Sequence, residues 1–552
     1  MTITGGQALV EQLVREGVQD LFGIPGIQLD WAVDALRQRQ DDIRLYVPRH
    51  EQTTSYMADG YARSGTREGV CMTVPGPGML NALSGLATGY ACSSRMLFVS
   101  GQIESSAIGK GYGLLHEIPD QSGILASLTK WHALARCQQE VADVVHEAFV
   151  QLRSGHPRPV AIEIPPDVLQ GTAEVRFHDA ATPAPLRPAP ARIAQIAALL
   201  RDARSPVIVA GGGVAAARAG DALRSLAERL QAPVVMTENA RGVLSSRHDL
   251  ATTMLGSRAL LPHADVVLVV GSRFLDALGR PHATPPGCRI VYVNLDPRAL
   301  GAPRPEGVAL EADAGAVLAA LAEALQDVPQ RPSRAADMAL VRTWCDAQLG
   351  RIRPQADHLA ALRSAAADDD VLVSELTQVG YYAGLAYPAY QAGTILTPGY
   401  QGTLGYGFPT ALGACVANPE KRVISISGDG GFGWGASELA TVARYGFDLS
   451  IVVFVDGQYG NVRRIQRQTF GSPFATDLTN PDFQILAQAY GIPAEQVVAP
   501  EDLEAALKRA AARGGPSLIE VRVGEMPSPW ALIHAFVPPS EPPPPLPILS
   551  DR

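Results

Sequence analysis

Residues Val423 to Val462 read VISISGDGGFGWGASELATVARYGFDLSIVVFVDGQYGNV, and this stretch decides the fold. Val423 to Ile426 is an apolar run with the length and β-branched content of a buried strand. Gly428-Asp429-Gly430-Gly431 follows at once, then a segment with Leu439, Val442 and Ala443 at helical spacing. A second apolar strand, Leu449 to Val455, stops at Asp456-Gly457. Two parallel strands therefore flank a helix, and each ends in an aspartate with glycine beside it. Ligands bind at strand C-termini in such sheets. The aspartates are 456 − 429 = 27 residues apart, about the length of one helix-bearing crossover. Two carboxylates at one sheet edge suit a hard cation such as Mg²⁺, which takes its other ligands from phosphate and water. The glycines let backbone N–H groups approach a phosphate. Alone, Gly-Asp-Gly would serve equally well as a turn with no ligand.

With this spacing and the continuation Tyr459-Gly460-Asn461-Val462, the stretch resembles the diphosphate-binding motif of thiamine diphosphate enzymes. The resemblance implies Mg²⁺ held by Asp429, Asp456 and the backbone carbonyl of Gln458. It places Gly428, Gly430, Gly431, Tyr459, Gly460 and Asn461 around the cofactor. One position departs. The family usually ends this motif with two asparagines, where this chain has Val455-Asp456. Asp456 can still ligate, and it adds a negative charge.

A chain of 552 residues exceeds a single core and implies two to four domains. Its net charge of −9 and the lack of any Lys/Arg-rich run argue against a nucleic-acid surface. No apolar segment approaches a membrane span, and MTITGGQALVEQLV lacks the features of a signal peptide. The six cysteines are scattered without a C-x-x-C, which reads as free thiols in a reducing cytoplasm.

The N-terminal residues, 1–170, alternate strands and helices, which implies a parallel sheet covered on both faces. Within them, VCMTVPGPGMLNALSGLATGYACSSRMLFVSG from Val70 repeats the grammar of the opening stretch: strand, G-x-G, helix with Leu-Ala-Thr, apolar strand, Gly. That suggests a duplicated domain. The copy lacks both aspartates and carries Glu51 at a strand end instead, in RHEQTTSYMADGYAR. A bland reading makes Glu51 a helix N-terminal acid. The resemblance makes it the carboxyl group opposite N1′ of the aminopyrimidine, in a site apolar enough to raise its pKa. It also places Pro25, Gly26 and Asn81 near the cofactor, and Gln28 and His116 near its reactive C2. His116 could shuttle a proton near neutral pH or be a solvated loop residue.

Residues 171–191 hold four prolines spaced mostly by alanines, an extended linker. A middle domain, 192–330, opens on strand Pro206 to Ala210 and Gly211-Gly212-Gly213, from which one helix is expected to run to Leu230. The turn lacks G-x-G-x-x-G. The resemblance to acetolactate synthases would place FAD in this domain, while many relatives leave it empty, and an empty domain, without FAD or another nucleotide, is the expectation here. A polar helical connector, 331–368, leads to the third domain, 369–537. There Thr377 and Gln378 open a helix whose N–H groups could hold phosphate. The resemblance gives Gly402 the carbonyl that accepts from the 4′-amino group, and Leu404 the prop that bends the cofactor into a V. The Pro-rich tail, 538–552, is expected to run extended over the surface.

The fold is therefore read as α/β, with three doubly wound parallel-sheet domains: pyrimidine-binding, middle and diphosphate-binding. The chain looks closest to the acetolactate synthase, benzoylformate decarboxylase and benzaldehyde lyase group. That group implies a homodimer or homotetramer acting on a small carbonyl substrate. Three functions compete: 2-oxo acid decarboxylation with carboligation, acyloin or diketone cleavage, and cofactor binding without turnover. Two departures weigh against acetolactate formation. Leu115-His116-Glu117 stands where acetolactate synthases have Phe-Gln-Glu, and Ile465 replaces their substrate-selecting Trp.

Overall fold

The computed structural model describes residues 2–276, 279–533, 545–547 and 549. Each of its three domains is a six-stranded parallel sheet flanked by helices. In the N-terminal sheet the strands lie in the order Arg44–Tyr46, Asp20–Gly23, Gly69–Thr73, Met96–Gly101, Val160–Ile164, Trp131–Leu134. In the C-terminal sheet the order is Ile395–Leu396, Val371–Ser374, Val423–Gly428, Leu449–Val455, Ser517–Arg522, Ala494–Val497. Numbered along the chain within each sheet, both orders are 2-1-3-4-6-5, so the two outer domains share one topology. The middle sheet runs Ala251–Thr253, Val234–Met236, Pro206–Ala210, Val266–Val270, Arg289–Asn294, Val308–Glu311, or 3-2-1-4-5-6. That is the order of doubly wound dinucleotide-binding sheets. The central strands are apolar because helices cover both faces: every residue of Leu449–Val455 is buried.

Four local readings change. The helix expected from Gly212 to Leu230 is two helices, Gly212–Ala216 and Gly220–Leu230. The chain breaks at Arg218, which is left-handed (φ 51°) and donates to the Thr66 carbonyl across the domain boundary at 2.9 Å. Within the proline-rich stretch, Thr172–Glu174 pairs antiparallel with Thr2–Thr4. Pro190, also read as linker, begins the helix Pro190–Asp202, because the first helical turn needs no N–H there. Most of the tail lies outside the described residues. Leu549 is buried in the middle domain's core, and the Pro545 carbonyl accepts from Trp344 Nε1 at 2.6 Å, so the tail is anchored at these points while Leu546 between them stays exposed. In the helical connector, Met338, Val341 and Trp344 join the middle core, while Leu359 and Leu362 join the C-terminal one.

The outer domains pack through helices Glu51–Ser64 and Gly407–Ala417, and one apolar cluster runs through both. A methyl group at Gly60 would overlap the Thr410 carbonyl oxygen, and one at Gly413 would overlap that of Met57. The two helices thus touch backbone to backbone. Arg63 ties in all three domains. Its Nη1 donates to Asp59 Oδ2 (3.1 Å), the Thr397 carbonyl (2.8 Å) and Tyr406 OH (2.8 Å), and its Nη2 to Asn239 Oδ1 (3.2 Å).

Gly413→Ala should lower the stability of the paired outer domains by about 1–3 kcal/mol, the usual cost of overpacking, read as an earlier thermal transition in calorimetry. At Gly384, in the helix Gln378–Ala386, an added methyl group meets nothing within 4 Å. Gly384→Ala should be neutral or stabilising.

Candidate active site

The C-terminal carboxylates are built as the strand ends dictate. Asp429 opens a short helical turn after Val423–Gly428. Its Oδ1 accepts from Gly430 N (3.0 Å), and its Oδ2 from Gly457 N (2.9 Å) and Asn480 Nδ2 (2.6 Å). Asp456 follows the neighbouring strand, and its Oδ1 accepts from Gln458 N at 3.2 Å. Burial first, and then the Asp429 charge, push the Asp456 carboxyl up to about 6. The Gln458 carbonyl accepts from Gly460 N at 2.9 Å and has a second lone pair free to ligate. The Tyr459 ring packs against Gly430. Gln378 Oε1 is buried without a partner. Among the described residues no group of three or more His, Cys, Asp or Glu could hold a metal. A cation here would rest on the two aspartates, a carbonyl and non-protein oxygens, a donor set of the Mg²⁺ type.

Two of the residues expected at the cofactor have partners within the chain. The Thr377 hydroxyl caps its own helix, accepting from Val379 N (3.1 Å) and Gly380 N (3.0 Å), so those two amides are already taken. Asn461 Oδ1 accepts from Arg464 Nη2 (2.7 Å) and Trp530 Nε1 (2.9 Å). Gly402 is left-handed (φ 58°), and Leu404 is exposed beside it. The loop they form is pinned by Glu375, whose Oε1 accepts from Gly405 N at 2.8 Å. The same carboxyl lies against Gly431, and burial pushes it up to about 7.

The N-terminal residues form a second cluster. Glu51 starts its helix, and Asn81 Nδ2 donates to its Oε2 at 3.0 Å. Gly76, in the turn before Asn81, sits against the His116 carbonyl. Gln28 Nε2 donates to the Leu115 carbonyl at 3.3 Å. Gly26 packs closely on Val74, the residue before that turn. The structure thus brings Pro25-Gly26, Gln28, Asn81, His116 and Glu51 to one end of the N-terminal sheet. Gln28 Oε1 and His116 Nδ1 are buried without partners. Among the described residues, no hydrogen bond joins this cluster to Asp429 or Asp456 of the same chain.

A cavity of about 1000 Å³ opens at the middle domain's strand ends, where the strand order reverses beside Gly213 and Gly271. It reaches Arg63, Arg273, Gly402 and Trp530.

Three family descriptions match the chain in order: thiamine pyrophosphate enzyme, N-terminal TPP binding domain over residues 3–124, central domain over 193–321, and C-terminal TPP binding domain over 376–521. The chain is a thiamine pyrophosphate enzyme. Thiamine pyrophosphate is thiamine diphosphate, so it is a thiamine diphosphate-dependent lyase or transferase. The chain is 34% identical over 535 residues to a probable 2-ketoarginine decarboxylase of Pseudomonas aeruginosa, covering 94% of each chain. It is 32% identical to an acetolactate synthase large subunit of Parasynechococcus marenigrum, covering 95% of this chain and 88% of the other. It is also 32% identical to the acetolactate synthase isozyme 1 large subunit of Escherichia coli, covering 94% of each. Among the described residues no helix is long and apolar enough to cross a membrane.

Sequence reasoning missed Asn480, Glu375 and Trp530. Asn480 lies 480 − 429 = 51 residues beyond the aspartate it orients, in a loop with no pattern to mark it.

Asp456 sets a further expectation for the cofactor-free protein. Its folded-state pKa of about 6 lies above the ordinary 3.8, so the fold loses stability as pH rises from about 4 through 6. Asp456→Asn should match wild type in thermal stability near pH 4 and become the more stable protein as pH rises past about 6. Melting curves across that range check it; parallel curves for the two proteins would refute it.

Proposed function

We propose that this enzyme holds thiamine diphosphate and Mg²⁺ at Asp429, Asp456 and the Gln458 carbonyl, and decarboxylates a 2-oxo acid, with transfer of the product to a second carbonyl where one is available. The observation that carries the reading is the pair of desolvated aspartates on adjacent strand ends, one of them oriented by three donors. The kinship to a 2-ketoarginine decarboxylase and to acetolactate synthases supports the 2-oxo acid. Ile465 and His116, which depart from the acetolactate synthase pattern, favour decarboxylation over acetolactate formation. Cleavage of an acyloin or diketone is the alternative reading.

The bound cofactor supplies a nucleophilic carbon and a sink for the electrons of the broken bond. Glu51, fixed by Asn81, holds and moves the proton at N1′ of the aminopyrimidine. The Gly402 carbonyl would accept from the 4′-amino group of the bound cofactor, and Leu404 would pack against its rings. His116 and Gln28, each with a buried unpartnered atom, handle proton transfer and substrate polar groups near C2.

The site needs two copies of the chain. Both clusters are rimmed by exposed apolar side chains, Ile27 (69%) and Leu115 (64%) on one, Trp434 (60%), Phe470 (75%) and Phe474 (84%) on the other. Exposed apolar surface of this kind marks an interface. The N-terminal cluster of one copy therefore meets the aspartates of another in a homodimer, or in a tetramer of two such dimers. The middle cavity, with its switch-point position and basic lining, has room for a nucleotide such as FAD.

Offered a panel of 2-oxo acids with thiamine diphosphate and Mg²⁺, the protein should release CO₂. Glu51→Gln should slow this on the order of 10²-fold or more while cofactor affinity stays near wild type. Cleavage of acyloins with no CO₂ from any 2-oxo acid would select the alternative. Co-expressing Glu51→Gln with Asp429→Ala, each inactive alone, should restore roughly a quarter of wild-type turnover, since half the dimers are hybrids with one intact site. No recovery would place the site within one chain.

A further inference from the structure

Pro75-Gly76-Pro77 leaves its turn a single amide. Neither proline has an N–H, so only Gly76 can donate between Val74 and Gly78. That amide finds no backbone acceptor. It donates to Gln121 Oε1 at 2.9 Å, in the protein interior. Gly76 is left-handed (φ 56°), and a methyl group there would overlap the His116 carbonyl oxygen. The one amide anchor of this turn is therefore a side chain.

Gln121 is held from its other end. Its Nε2 donates to Glu163 Oε2 (2.7 Å), the Gly101 carbonyl (2.9 Å) and Ser100 Oγ (3.2 Å). Glu163 is fully buried. It also accepts from Gln102 Nε2 (2.9 Å) and Ser122 Oγ (2.6 Å), and lies 2.6 Å from His132 Nε2. A flipped Gln121 amide would set its NH₂ against the Gly76 N–H and its oxygen against the Glu163 carboxylate. The network permits one orientation, and that orientation presents an acceptor to Gly76.

We infer that Gln121, locked by Glu163, is a positioning residue that sets the Pro75–Gly78 turn, and through it both Asn81 on Glu51 and the loop of His116. The chemical importance of that placement rests on the function proposed above. The turn opens the helix Pro77–Cys92, which carries Asn81 to its 3.0 Å bond with Glu51 Oε2. Gly78 lies directly against the Glu51 side chain, with an added methyl group 3.7 Å from its Cγ. A turn released from Gln121 shifts the partner of Glu51 and the backbone of His116 together.

The test reads the turn and the chemistry separately. In cofactor-free protein, hydrogen–deuterium exchange of the Gly76 amide is followed by mass spectrometry on a peptide in which the flanking prolines are silent. Gln121→Leu should quicken it about tenfold or more. With thiamine diphosphate and Mg²⁺ bound, exchange of the cofactor's C2 proton should slow on the order of 10²-fold, with cofactor affinity near wild type. If Gln121→Leu does not fold, Glu163→Gln takes its place, with a smaller change in the same direction. Wild-type exchange at Gly76 in the variant that folds overturns the inference. A wild-type protein that fails to bind thiamine diphosphate overturns the functional reading instead, and leaves the Gly76 measurement standing.

Discussion

Two helices that touch backbone to backbone fix where everything else can be. Glu51–Ser64 and Gly407–Ala417 cross where Gly60 and Gly413 leave no room for a side chain. Polar contacts brace the same junction. The Glu438 carboxylate accepts from the amides of Arg49 and His50, immediately before Glu51, at 3.0 to 3.1 Å. The Tyr445 hydroxyl accepts from Val47 N at 2.8 Å. The start of the Glu51 helix is thus held by the C-terminal domain of its own chain. The two outer domains, alike in strand order, are thus joined by both backbone packing and hydrogen bonds.

Charge is handled differently at each half. Asp429 is oriented by three donors, and Asp456 is left desolvated beside it. Two close carboxylates out of water are costly, a cost that the proposed Mg²⁺ would offset. Glu375, which sits against Gly431, is pushed up to about 7 by burial. The buried thiols are pushed up, Cys71 by burial alone and Cys415 by burial first and then the Asp448 charge, which suits packing residues and not nucleophiles.

What the sequence made legible was local and periodic. The strand, Gly-Asp-Gly, helix, strand, Asp run of Val423 to Asp456 folds as its apolar spacing implies, with the strands adjacent and parallel. The likeness of the Val70 and Val423 stretches corresponds to a shared strand order. What stayed hidden depends on distant partners. Asn480, Trp530 and Gln121 are ordinary polar or aromatic residues until the fold sets them against Asp429, Asn461 and Gly76. Nor did the sequence show that the Thr377 hydroxyl takes the amides of Val379 and Gly380 at its own helix start. Pro190 stood in a proline-rich run that reads as extended, yet the same fixed φ opens a helix.

Arg63 gives the middle cavity a mechanical address. It lines that cavity, and it sits 63 − 51 = 12 residues along the same unbroken helix from Glu51. At the α-helical rise this is a rod of about 18 Å, clamped along one side by the crossing helix. A clamped rod does not bend easily, so a load on its far end is carried along the axis. A ligand in the middle cavity that met the guanidinium would therefore bear on the same helix that begins at Glu51, 12 residues away.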